Sequence, residues 1–178
     1  MVRLIQTLCP DYRSMPYLLD SNILIEAKNR MPIDLFPSFW SKLYEQIVAG
    51  NVFSSVKVKD EIKRGNVDDP LVEWVNSLPE SFFLSIDAAD ILAKYAQTIN
   101  WANQNTQYSQ AAKVEFASAS IADAFLVATA AAKNMTLVTH EVSDSNSKKR
   151  VKIPDAAKAV NVTCCDLIEM LRNLKTTI

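Results

Sequence analysis

Glycine is nearly missing from this chain, with 2 residues among 178 against 7 prolines. That scarcity excludes glycine-rich linkers and argues against a phosphate loop built from glycines. No G-x-S-x-G elbow, Walker loop or dinucleotide fingerprint occurs. Histidine is rarer still: His140 stands alone, cannot form a zinc site with scattered cysteines, and has no marked nucleophile beside it for a Ser-His-Asp triad. The 3 cysteines, Cys9 and the adjacent pair Cys164 and Cys165, are odd in number and lack ligand spacing, so they read as reduced cytosolic thiols. Basic charge is not in excess, with 19 Lys and Arg against 20 Asp and Glu. This excludes a nucleic-acid binder held by bulk charge and leaves a local patch or metal ions to meet any polyanion. Long apolar runs are absent too. The longest weakly charged stretch, Ile121 to Ala132, contains Asp123 and falls short of the about 20 residues a bilayer helix needs. Near the start, Arg3 precedes an apolar run cut short by Cys9, Pro10 and Asp11, a poor signal peptide. The expected location is the cytoplasm, with no membrane partner.

What is present is a globular balance, 49% hydrophobic and 22% charged, over a length suited to a single domain spanning residues 1–178. Tyr17-Leu18-Leu19 reads as a short strand, stopped by Asp20-Ser21-Asn22 before a helix from Ile23. Phe39, Leu43, Tyr44, Ile47 and Val48 fall at helical spacing up to Gly50. Val52-Phe53, closed by Ser54-Ser55, is a second strand, followed by a helix from Val56 to Arg64. Asp69-Pro70 starts another helix. Phe82 to Leu84 reads as extended, Asp87 as the cap of a long helix through Leu92, Tyr95, Ala96 and Ile99, and Asn103 to Gln110 as a loop. Ser120 to Lys133 is a helix, Thr136 to Thr139 a strand, and His140 to Lys149 a polar turn. Arg150 to Ile153 and Val160 to Thr163 read as extended, and Leu167, Met170, Leu171 and Leu174 form the stripe of a last helix. Short strands alternating with helices predict an α/β fold with a mostly parallel sheet covered on both faces.

In such a sheet, ligands bind beyond the carboxyl ends of the strands. Asp20 and Glu141 each follow a strand there, Asp123 lies in the first turn of a helix, and Glu61 shares a helix side with Val58 and Ile62. Each acid also has a plain structural reading: Asp20 as a helix cap, Asp123 as the capping-box partner of Ser120, Glu61 as half of a buried ion pair, Glu141 as a loop acid replaceable by Asp144. Oxygen ligands without a His or Cys set suit Mg²⁺ or Mn²⁺. Two carboxylates about 5 Å apart repel by roughly 3 kcal/mol at an effective dielectric of 20, so four together call for bound cations, and two divalent ions would cancel the repulsion. Lys148, Arg150 and Lys152, if extended, share a side suited to holding backbone phosphates.

Four segments in this order, Tyr17 to Asn22, Val58 to Ile62, Ala122 to Ala130 and Leu137 to Glu141, resemble the PIN-domain nucleases. More narrowly, Phe36 to Trp40 and Ser147 to Pro154 resemble an uncharacterised bacterial PIN-like family related to VapC toxins. The resemblance implies a three-layer α/β/α sandwich and a Mg²⁺- or Mn²⁺-dependent ribonuclease. Asp20, Glu61 and Asp123 match its main acidic ligands, and Glu141 matches the fourth, usually an Asp. Ser21, Asn22 and Thr139 match polar residues that orient ligands or water. It further implies an RNA substrate, a toxin role with a cognate antitoxin protein as partner, and a homodimer. Two other readings stay open on the same residues: a PIN-like module that only binds RNA or protein, and a nuclease directed at DNA or at nucleic-acid structure.

Overall fold

The computed structural model describes residues 15–118 and 121–178. Cys9 and Ser120, named above as a thiol and a cap, lie outside the described residues. Tyr17–Leu19 (β1) is buried along its whole length, as a central parallel strand must be. It pairs on one side with Val52–Ser55 (β2) and on the other with Thr136–Val138 (β4). Phe83–Leu84 (β3) extends the sheet beyond β2, and Cys164–Cys165 (β5) extends it beyond β4. Among the described residues all four pairings are parallel and the order is β3-β2-β1-β4-β5, so the sheet is the parallel one expected, with helices flanking it in the α/β/α layering.

This order fixes where a ligand can sit. From β1 the chain builds outward through β2 and β3, then returns to the other side of β1 for β4 and β5. The reversal opens a crevice beyond the carboxyl ends of β1 and β4, the usual ligand site of open parallel sheets. Leu19 is level with Val138, so the next residues, Asp20 and Thr139, emerge side by side.

The helices follow the sequence closely in the first half. Ser21–Arg30 (α1) buries Ile23, Leu24 and Ala27. Pro37–Val48 (α2) ends before Gly50, whose φ of +73° is one that L side chains rarely adopt. In Val56–Lys63 (α3) the hydroxyl of Ser55 accepts from Val58 N, and in Pro70–Ser77 (α4) Asp69 accepts from Leu71 N. Two residues move off the expected α2 face: Tyr44 and Val48 are exposed, and Trp40 is buried in their place, its indole N–H donating to Met31 O.

The second half differs more. Ala89–Gln104 (α5) is capped at Ala88 rather than Asp87, which instead accepts from the Ser85 hydroxyl. Its buried residues are Ile91, Thr98 and Ala102, whereas Leu92 and Ala96 are exposed, so the inner face is rotated from the expected one. The expected loop is shorter, because α5 takes up its start and Gln110–Phe116 (α6) follows it. Asp123–Lys133 (α7) has every residue from Ala124 to Ala130 buried, the pattern of a helix covered on all sides; it packs on α5 and against β4. The extended segment expected at Arg150 stops at Lys152, where Ile153–Ala159 (α8) begins, with proline in its first turn. The strand expected at Val160 to Thr163 lies instead at Cys164–Cys165, since Val160 closes α8. Leu167–Asn173 (α9) completes the fold on the expected Leu167, Met170 and Leu171. Among the described residues, no helix is long and apolar enough to cross a membrane.

Candidate active site

Asp20 is 1% exposed at the end of β1. It occupies the cap position of α1, yet its side chain makes no capping hydrogen bond. Its carboxylate turns to the crevice, accepting from Thr139 Oγ1 at 3.1 Å and Ser21 Oγ at 3.3 Å, with a longer contact from Asn22 Nδ2 at 3.5 Å. These donors are all neutral. Burial pushes Asp20 above the ordinary aspartate range; the Thr139 hydrogen bond opposes the rise, and the charges of Glu141 and Glu61 add to it.

Asp123, in the first turn of α7, is pushed up to about 6, chiefly by burial and next by the charge of Asp20, against the pull of Arg150. Its Oδ2 lies 3.3 Å from Arg150 Nη2. Glu141 is tied at both carboxylate oxygens and at its backbone N–H. Its Oε1 is 3.2 Å from Arg150 Nη2 and 3.8 Å from Lys152 Nζ. Its Oε2 accepts from Ile153 N at 2.8 Å, and its own N–H donates to Thr139 Oγ1 at 3.2 Å. Asp144, the alternative acid, is exposed and accepts from Asn146 N within its own turn.

Glu61 departs from expectation. It is exposed on α3, while Val58 and Ile62 on either side of it are buried. Three residues past Val58, it stands at the edge of the apolar stripe rather than within it, so it needs no buried partner. Its charge still acts on Asp20 across the crevice.

The basic segment is divided. Val151 and Ile153 point inward, at 1% and 0% exposure, as extension predicts. Arg150 and Lys152 face Glu141, whereas Lys148 is exposed. The role of Arg150 was not legible in sequence, where it read as a phosphate contact; its guanidinium bridges two acids. Burial pulls its pKa down, but Glu141 and Asp123 hold it above the ordinary arginine value. An opposite charge at about 4 Å is worth about 4 kcal/mol at an effective dielectric of 20, so these pairs order the cluster even with Arg150 half-exposed, once solvent screening has reduced that figure.

Beside Glu141 opens a cleft of about 730 Å³ lined by Asn22, Glu26, His140, Asp144 and Lys152 among others. His140 Nε2 lies 3.6 Å from Glu26 Oε2, a surface pairing. Burial pushes the Cys164 thiol up to about 11 and the Cys165 thiol up to about 12, which disfavours the thiolate that a nucleophile needs.

Among the described residues, no three His, Cys, Asp or Glu side chains are gathered as a ready-made metal site. The donor chemistry nevertheless fits a hard cation. Asp20 is buried and Asp123 part-buried, both have raised pKa values with the charge of Asp20 adding to the rise at Asp123, and among the described residues Asp20 has only neutral hydrogen-bond partners. Such a pair is costly without added positive charge.

Residues 17–178 match the family profile described as Domain of unknown function (DUF4411). No curated protein matches the chain. Among solved structures the chain is similar to FitAcB from Neisseria gonorrhoeae, at 18% identity and a TM-score of 0.48, over 83% of this chain and 95% of that one.

Proposed function

This chain belongs to the DUF4411 family, and we propose that it is a Mg²⁺- or Mn²⁺-dependent nuclease that cuts RNA, acting as the toxin of a toxin–antitoxin pair. The observation that carries the reading is Asp20: a buried carboxylate at the switch point of a parallel sheet, its charge felt by Asp123, and without a cationic partner among the described residues. The PIN-like order of segments around Asp20, Glu61, Asp123 and Glu141 supports the choice of RNA and of a cognate antitoxin as partner.

Asp20 and Asp123 would hold the cation, with exposed Glu61 supporting it from α3. When bound, Mg²⁺ or Mn²⁺ would supply the charge that makes water a nucleophile at neutral pH and offsets the negative charge of the phosphodiester. Thr139, Ser21 and Asn22 orient the Asp20 carboxylate by their hydrogen bonds. Lys152 and Lys148 would hold backbone phosphates that the acids alone would repel. The open cleft of about 730 Å³ past Glu141 is where a flexible strand would enter.

The test is cleavage of labelled RNA and DNA of one sequence, mixed in a single assay with Mn²⁺ and then with chelator. RNA should be cut only with metal, and Asp20→Asn should lose cleavage. Preference for DNA would move the substrate, and an active Asp20→Asn protein would remove the assignment.

A second reading, a module that binds RNA or protein without cutting, is favoured by one observation: Arg150 already neutralises part of the acidic cluster. Such a module would show no stoichiometric Mn²⁺ affinity and no metal-induced rise in Tm.

A further inference from the structure

We infer that Arg150 is the resident second cation of this site, so that the cluster takes one divalent ion, at Asp20 and Asp123, where four acids would otherwise ask for two. The inference rests on the metal-dependent reading above and specifies its stoichiometry.

One nitrogen, Arg150 Nη2, lies 3.3 Å from Asp123 Oδ2 and 3.2 Å from Glu141 Oε1. It therefore sits between carboxylates carried by different elements, the position a second bridging cation would need. Glu141 has little left to offer a metal. Its Oε1 is shared by Arg150 and Lys152, and its Oε2 takes the Ile153 N–H at 2.8 Å. To become a ligand it would have to share Oε2 with a backbone donor in a part-buried setting, or Oε1 with two cations. Asp20 shows the opposite condition, with neutral donors alone among the described residues.

Arg150 is also delivered on a fastened segment. Val151 beside it is 1% exposed, and the Ser147 hydroxyl donates to Arg150 O at 2.6 Å. From the α5–α6 connection, Gln107 Nε2 donates to Ser147 O at 2.9 Å and Ser109 N to Lys148 O at 2.8 Å. A guanidinium keeps its charge at any pH the protein meets and offers several donors in one plane. The half-exposed side of Arg150 thus leaves N–H groups for a substrate phosphate while Nη2 holds the two acids. One divalent ion and one guanidinium would together supply the pair of positive poles that two-metal nucleases obtain from two ions.

The test counts Mn²⁺ bound per chain by titration calorimetry, checked by equilibrium dialysis, on the full chain, on Arg150→Met and on Glu141→Gln, with near-UV circular dichroism to verify folding. The parent chain should bind one Mn²⁺. Glu141→Gln should still bind one, within the roughly tenfold affinity change that loss of an outer partner brings. Arg150→Met should bind two. Two ions on the parent chain, a lost ion in Glu141→Gln, or a single ion on Arg150→Met overturns the inference while leaving a metal-dependent nuclease in place. No ion on the parent chain overturns both. Should Arg150→Met fail to fold, the counts on the parent and on Glu141→Gln decide by the same criteria.

Discussion

The hydroxyl of Thr139 donates to Asp20 Oδ2 at 3.1 Å, joining two strand ends that lie 119 positions apart in the chain. The same oxygen accepts from Glu141 N, so one small side chain orients two of the four candidate acids. Thr139 is 4% exposed, and Thr139→Val keeps its shape while deleting both contacts. Mn²⁺ affinity should fall about 10- to 100-fold, the usual cost of losing an outer-shell partner. Calorimetric titration checks this, and an unchanged affinity would show that Asp20 needs no such support.

Asp123 makes stability depend on pH in a definite direction. Its folded pKa, raised from 3.8 to about 6, means the folded chain holds the proton more tightly than the unfolded one. The stabilisation is full below the unfolded value and is lost as pH rises through about 6. The difference corresponds to about 3 kcal/mol at neutral pH, an upper figure. In chelator, Asp123→Asn should therefore be more stable than the parent at pH 7.5, with the gain fading toward about pH 4, as urea melts at both values would read. Equal stability at both would contradict the burial argument.

The thiols of β5, Cys164 part-buried and Cys165 buried, give a chemical check on the sheet edge. With pKa values near 11 and 12, Cys164 and Cys165 hold fewer than about one thiolate in a thousand at pH 7.5. Iodoacetamide should label both slowly in native protein and fully in denaturant, as peptide mass mapping would record. Rapid native labelling would mean that β5 is open to solvent.

Gln107 fastens the segment that carries Arg150 by donating to Asp144 O and Ser147 O. Gln107→Ala should speed hydrogen exchange across residues 143–150 while leaving α7 unchanged, because the lost bonds are local. Unaltered exchange there would mean that the inward packing of Val151 and Ile153 alone holds Arg150.

At Gly50 the backbone φ is +73°, and a built Cβ meets nothing nearer than the Phe53 ring at 4.0 Å. Gly50→Ala thus tests conformation without a clash and should cost about 1 to 2 kcal/mol by denaturant melting. No loss would mean the turn before β2 relaxes freely.

Some features were readable because their cause is local. Asp69-Pro70 opens α4 by capping chemistry between neighbours, Gly50 ends α2 because few other residues tolerate its φ, and the short apolar runs at Tyr17 and Thr136 become β1 and β4. Others were not. The inner face of α5 could not be phased from its scattered apolar residues, since Leu92 and Ala96 are as apolar as the residues that α7 covers. Glu61 looked inward because spacing places a residue only to within a fraction of a turn.

The order of residues alone determined an α/β chain in which two candidate acids, Asp20 and Glu141, follow strand ends, because strand, cap and turn preferences act over a few positions. Which acids meet, and which of them Arg150 occupies, was decided by the sheet order β3-β2-β1-β4-β5 and by the docking of residues 147–153. Charge pairing acts through space over a few ångströms, and only the folded chain brings those side chains that close.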